Sequence, residues 1–420
     1  MILSVFIGND RVGRLADNPD GSGRIFFEYD PAWQQMGIEL APFFLPSSLS
    51  GPTGFDFPAY PAVKNLPGLM WDSLPDSWGM PLLEARIRNA GLHPSHASGT
   101  VFLSHIGSAG MGALRYEPDC ATPEEENFLT SLEKIDAEAL QAQQDRPPSD
   151  MGALKELLKV GSAIGGAKPK AVLYIKRDGS RISLSQVEGF DPWVVKLSTL
   201  PPGHKDSKQA GRVEYAFSLM ARAAGIKMPE TRLFSVQYAK GERGLFGIRR
   251  FDRGADGSRI HMQTCAALRH IMPIRGAGSY EGIARDTLEL TGDRRDLIEL
   301  FRRCAFNVMA GNSDDHLKNF SFLMGADGIW RLSPAYDLTP NDGPRIGNKN
   351  QEKKVQCTSV AGTFSPGRSD LLKCAKTMGV DGRVIFDQVR DALSQWSVFA
   401  SDAGLTESVA AKLEADFGAA

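Results

Sequence analysis

Asn312-Ser313-Asp314-Asp315-His316-Leu317-Lys318-Asn319-Phe320-Ser321-Phe322-Leu323-Met324 is the stretch on which the reading of this 420-residue chain turns. Asp314 and Asn319 stand in the D-x-x-x-x-N spacing that, in phosphoryl transfer, lets a carboxylate take a hydroxyl proton while an amide holds magnesium. Alone the spacing is weak, because Asp and Asn are ordinary cap and turn residues. Its flanks add weight. Leu297, Leu300, Phe301, Cys304 and Val308 share one face of a helix expected over 293–310, which Gly311 ends. Downstream, 319–324 reads as a strand, 325–328 as a turn and 329–332 as the partner strand. That hairpin returns the chain to the same place and delivers Asp337 within Pro334-Ala335-Tyr336-Asp337-Leu338. A hard cation takes oxygen ligands of this kind, with water completing the shell.

Upstream, β-like runs at 170–176, 181–185, 193–197, 231–238 and 244–251 enclose one helix over 212–224, with Val213, Phe217, Met220 and Ala224 on a stripe and Gly225 as its stop. That order predicts an antiparallel sheet with a helix against it. In Trp193-Val194-Val195-Lys196-Leu197 the lysine interrupts an apolar strand. A solvent-facing lysine is the ordinary reading. The other is a phosphate-binding lysine, with Glu214 of the following helix as its acidic partner. The Gly-rich run 161–170 nearly matches a P-loop, but Ala167 precedes Lys168, no Ser or Thr follows, and the run leads into a strand. Its glycines still let backbone N–H groups approach phosphates. A further amphipathic helix is expected over 383–400, carrying Ile385, Val389, Leu393 and Trp396 inward. A β-rich lobe thus precedes an α-rich one.

Residues 1–115 read as a small mixed domain: a hairpin from 3–7 and 12–15, a third strand at 24–29, and a helix over 78–89 stopped by Gly91. From 118 to 150 the composition turns acidic and Gln-rich and ends in Arg146-Pro147-Pro148-Ser149-Asp150, the signature of a linker. Hydrophobic residues make up 42% and charged residues 23%, with a net charge of -2, so any DNA contact is expected through a partner rather than through this chain. Five scattered cysteines without a C-x-x-C pair argue against a disulfide framework or zinc knuckle. The apolar run 1–7 lacks signal-peptide features, and no segment reaches the roughly 20 apolar residues of a membrane helix. A cytoplasmic protein without membrane contact is expected. His93-x-x-His96 contains Pro94 and lacks a third ligand, so zinc is not expected there. The glycine-bearing segment 104–112 reads as a flexible or close-packed loop.

Taken in order, Gly161 to Lys170, Trp193-Val194-Val195-Lys196, Arg249-Arg250-Phe251-Asp252-Arg253, Asp314-x-His316-x-Lys318-Asn319-Phe320-Ser321 and Leu332-Ser333-Pro334-Ala335-Tyr336-Asp337 resemble the HipA family of bacterial serine/threonine kinases. Its members are toxins of toxin–antitoxin pairs. Leu66-Pro67-Gly68-Leu69 through Leu74-Pro75-Asp76-Ser77 is similar to a tract of the small domain that precedes the kinase core there. The resemblance implies an α+β fold: a two-lobed protein-kinase-like core, β-rich N-lobe at 151–255 and α-helical C-lobe at 256–420, preceded by a small β-rich domain at 1–117 and a linker at 118–150. It implies Asp314 as catalytic base, Asn319 and Asp337 as magnesium ligands, and ATP contacts from Gly165, Gly166, Lys170, Lys196, Arg249, Phe251, His316 and Lys318. Arg249 to Phe251 would form the hinge beside adenine. His316 is expected to orient rather than carry a proton. Implied partners are a HipB-like helix-turn-helix antitoxin, which holds operator DNA, and a protein substrate; the family's best-known substrate is an aminoacyl-tRNA synthetase. Two positions depart from the family. Arg249 stands where its best-known member has an acid, and Ala163 aligns with the autophosphorylated serine, leaving neighbouring Ser162 as the candidate. A small-molecule kinase on the same core and a catalytically idle protein that binds antitoxin or nucleotide stay open.

Overall fold

The computed structural model describes residues 1–120, 131–144, 165–199, 209–238, 241–340, 345–346 and 353–417. Strands β1 (Ile2–Ile7), β2 (Asp10–Asp17), β3 (Ile25–Tyr29), β4 (Thr53–Phe55) and β5 (Leu114–Glu117) form an antiparallel sheet in the order β4-β3-β2-β1-β5. Leu3, Val5, Val12, Leu15, Ile25 and Phe27 point to its buried face, the period-2 pattern of a half-covered sheet. The expected helix is present as Gly79–Asn89 and buries Leu82, Leu83 and Ile87.

The second sheet comprises β6 (Lys170–Lys176), β7 (Ile182–Ser183), β8 (Phe190–Lys196), β9 (Thr231–Tyr238) and β10 (Gly241–Arg249), ordered β7-β6-β8-β10-β9 and antiparallel throughout. Lys170 lies opposite Lys196, while Val172, Val194 and Ile248 form the next row on the same face. Ala171, Leu173, Trp193, Val195 and Leu245 occupy the other face, packed with Ile135 and Ala139. Those two residues belong to a helix, Leu132–Gln144, inside the segment expected as a linker. Its Leu132, Ile135 and Ala139 recur at helical spacing, a pattern that the acidic, Gln-rich composition hides. Buried Asp136 fastens it by accepting from Ser198 N at 2.6 Å and Ser198 Oγ at 2.8 Å. Helix Ala210–Ala223 packs on β9 and β10 as the strand–helix–strand order predicts.

A third sheet, β11 (His261–Thr264), β12 (Ser321–Met324) and β13 (Trp330–Leu332), lies among the C-terminal helices Tyr280–Thr291, Arg294–Met309, Arg368–Met378 and Gly382–Leu393. The helix expected over 383–400 is broken: Gly382–Leu393 ends at Ser394 and Trp396–Asp402 follows. Ser394 Oγ bonds back to Asp391 O at 2.8 Å, and the change of direction brings the Trp396 ring to 5.0 Å from Phe217 of the N-lobe helix. One core cluster runs continuously from the first sheet into these helices. At that junction Gly68 N donates to His270 Nε2 at 2.9 Å, and a Cβ on Gly68 would stand 2.1 Å from Ala267 O, so only glycine permits the approach. Among the described residues no helix is long and apolar enough to cross a membrane.

Candidate active site

The loop after helix Arg294–Met309 is tied by its own side-chain amides. Asn312 Nδ2 donates to Asn307 Oδ1 at 3.0 Å and to Asp337 O at 3.1 Å, and its Oδ1 accepts from Asp314 N at 3.3 Å. Asn319 Nδ2 donates to Asp314 O at 2.8 Å, which turns its Oδ1 away as the atom left for a ligand. The β12–β13 hairpin then returns the chain to Asp337, held at φ +53, and Tyr336 OH donates to Lys318 O at 2.6 Å. The three-residue turn Leu317–Asn319 places Lys318 and Asn319 before the strand begins.

Lys196 answers the ambiguity left by the strand pattern. Its ammonium reaches both Glu214 of the following helix and Asp337 of the returning hairpin, and it is nearly buried. Burial alone would lower its pKa, but Asp337 and Glu214 outweigh that and raise it. Burial likewise pushes the Asp337 carboxyl up, and Lys196 and Lys170 overcome this to hold it well below the ordinary carboxylate range. Glu214 is therefore a buried partner rather than an exposed helix residue. Beside this pair, Lys170 Nζ donates to Gly165 O at 2.8 Å. Gly166 sits at φ +107, a backbone conformation that favours glycine, and Lys170 Nζ passes close over it. Ser162, the expected autophosphorylation candidate, and Ala163 lie outside the described residues.

Phe251 stacks on Tyr336 with ring centroids 5.7 Å apart, which brings the hinge to the returning hairpin. Arg249 pairs in register with Trp193, so its side chain leaves from the sheet face opposite Lys196 and reaches Asp191 at 2.9 Å. Its backbone N–H is taken by Glu230 O at 2.9 Å. His316 Nε2 lies 4.0 Å from Asp314 Oδ1, beside the candidate base. Lys318 faces the Gly-rich loop but is paired with Asp76 of the first domain. His93 Nδ1 is hydrogen-bonded with Ser95 Oγ at 2.7 Å.

Several residues that the sequence did not single out support the site. Asp315 is fully buried and accepts from Tyr280 OH at 2.9 Å, Gln356 Nε2 at 3.0 Å and Cys357 N at 2.8 Å, fastening segment 356–358 beneath Asp314; burial raises its pKa to about 6. Cys357 Sγ comes within 4.0 Å of Asp314 Oδ1, and burial pushes that thiol up to about 12. Asp252 accepts from Arg250 Nε at 2.9 Å and from Gly112 N at 2.7 Å, while Arg253 and Arg259 cap the carbonyls of Gly110 and Gly112. Of the segment 104–112, residues 104–106 end the helix Gly99–Ile106 rather than forming loop, and Gly110 and Gly112 are close-packed against Asp252, Arg253 and Arg259. The Asp-Asp doublet and the Arg-Arg-Phe-Asp-Arg cluster were the available signals, but neither says what it would touch.

The donor set suits magnesium: the Asp337 carboxylate and the Asn319 amide oxygen are hard oxygen ligands of the kind that water completes. Among the described residues no three His, Cys, Asp or Glu side chains cluster as a metal site.

The model of the HipA N-terminal domain matches residues 3–117, and that of the HipA-like C-terminal domain matches residues 162–397. The protein Y4dM of Sinorhizobium fredii, a kinase by name, is 27% identical over 411 residues, covering 94% of this chain and 90% of that protein. A Haemophilus influenzae protein also named as a kinase is 28% identical over 188 residues, 42% of this chain and 52% of its own. HipA of Shewanella oneidensis, solved with HipB and its operator DNA, shares the fold with a TM-score of 0.67 at 17% identity, covering 99% of this chain and 95% of that one.

Proposed function

Because this chain belongs to the HipA family, carrying both its N-terminal and its C-terminal domain, we propose that it is an ATP- and magnesium-dependent kinase acting on a serine or threonine of a protein. The observation that carries this reading is Lys196 joined to both Glu214 and Asp337. A buried lysine held between two acids from different elements is poised for phosphate, because it arrives charged and already oriented. The row Val172, Val194 and Ile248 gives an apolar ceiling for the adenine ring beside the two lysines.

In this mechanism the acceptor hydroxyl oxygen bonds to the γ-phosphorus while the bond to the β–γ bridging oxygen breaks, releasing ADP; the hydroxyl proton passes to Asp314. Magnesium bound by Asn319 and Asp337 would neutralise charge on the phosphate oxygens. Lys196 holds the phosphates, and Asn312 and Asn319 keep Asp314 and Asp337 in one frame. Catalysis is then mostly positioning and charge neutralisation.

We assign the protein the toxin role, paired with a HipB-like helix-turn-helix antitoxin that contacts DNA, in the cytoplasm. A net charge of -2 fits DNA contact through the partner. Its target would be a translation-related protein such as an aminoacyl-tRNA synthetase. Radiolabelled ATP incubated with a cell lysate tests this, with Asp314→Gln as control. A labelled protein band that the variant does not form supports the reading. A labelled small molecule indicates a metabolite kinase, and no transfer at all an idle binding protein. Expression should arrest growth, and unimpeded growth would count against the toxin role.

A further inference from the structure

We infer that Asp76, a residue of the first domain, occupies the phosphate cradle of the kinase core and is exchanged for nucleotide phosphate on binding. This rests on the nucleotide reading above. Asp76 Oδ2 accepts from Gly166 N at 2.6 Å, and its Oδ1 is ion-paired with Lys318. Gly165 packs on the same carboxylate, since a Cβ there would stand 3.0 Å from Oδ2. A glycine-loop N–H and an ammonium converging on one anionic oxygen is how a phosphate oxygen is held. Burial pushes the Asp76 carboxyl up, and Lys318, the Gly166 N–H and Lys170 bring it below the ordinary range, so it presents a full negative charge to the loop. Both cradle donors are therefore consumed by the chain's own acid.

The exchange needs no backbone movement. Asp76 O accepts from Met80 N at 2.9 Å at the start of helix Gly79–Asn89, and Trp78 Nε1 donates to Lys170 O at 3.1 Å, so the tract stays anchored while the side chain rotates away. The carboxylate is about one-third exposed (35%), which leaves it a path to water. A phosphate entering the cradle meets like charge until Asp76 leaves, so the acid lowers the affinity for phosphorylated nucleotide and leaves nucleoside affinity alone. Loading the site also breaks a polar link between the first domain and the catalytic loop.

Calorimetric titration of the full chain with a magnesium-bound, non-hydrolysable ATP analogue and with adenosine, for the parent and Asp76→Asn, tests this. The analogue should bind the variant roughly 5–10-fold more tightly, the scale of one charge-assisted contact, with adenosine unchanged. Equal or weaker analogue binding by the variant, with adenosine binding intact, overturns the proposal alone. If the parent binds neither ligand, the nucleotide reading falls and the proposal with it. Should Asp76→Asn fold poorly, the side-chain carboxyl 13C resonance of Asp76 in the parent decides: its titration midpoint should rise toward the ordinary carboxylate range under saturating analogue, because the Lys318 and Gly166 partners are lost. An unmoved midpoint under saturating analogue sinks the idea.

Discussion

The cleft cluster around Lys196 and the hinge cluster around Asp252 are built from the same material, acids tied to buried cations, yet they are closed differently. Asp252 and Arg250 are 0% and 1% exposed, and the surrounding arginines end on backbone carbonyls of the 108–114 segment. In the cleft, Asp337 and Asp76 keep 35% of their side-chain surface and Lys318 keeps 21%. A sealed network has no alternative partner within reach, so it fixes one geometry. A half-open one can trade its ion pairs for a ligand. The same carboxylate chemistry is therefore sealed in one place and left partly open in the other.

That contrast can be broken or sharpened by substitution. Asp337→Ala should cut phosphoryl transfer by on the order of 10³-fold, while the thermal midpoint stays near that of the parent; a large loss of stability with residual transfer would erase the distinction. Asp252→Ala should do the reverse, since it strands Arg250 and Arg253 in the interior. Urea unfolding should show a loss of about 3–5 kcal/mol, with transfer per folded molecule retained.

A smaller effect concerns acid. Burial pushes His261 and His270 down to about 4, so between about 6.5 and 4 the unfolded chain binds more protons and falling pH destabilises the fold. Asp315 has the opposite sign: with its carboxyl raised to about 6, the native state binds the extra proton between about 4 and 6, and its contribution is lost as pH rises through 6. Urea midpoints from pH 7 to 4.5 should fall, and more steeply in Asp315→Asn, where the opposing group is gone. The smallest expected change is Arg249→Ala. Its half-exposed ion pairs with Asp191 and Glu230 are worth about 0–1 kcal/mol, and nucleotide affinity should stay within a factor of two by the same titration.

Local pattern carried most of the elements. Apolar positions of 293–310 and 212–224 repeat at helical spacing, and the alternating strands of the second sheet were readable because period 2 is a local property. Where composition masked period, as in Leu132–Gln144, or where one amphipathic run was broken in two at Ser394, the expectation missed, although Trp396 is buried as expected.

By itself the sequence determined the order of chemistry-bearing residues: glycine loop, Lys196, hinge, Asp314, Asn319 and Asp337, each placed on an element whose type follows from neighbours a few residues away. Only the tertiary structure decided which of them meet. Lys196 and Asp337 are 141 positions apart, Gly112 and Asp252 140, Asp76 and Lys318 242. No local period encodes such pairings, because they follow from how sheets and helices close over a shared core. The face on which Arg249 falls was fixed the same way, by strand register against β8.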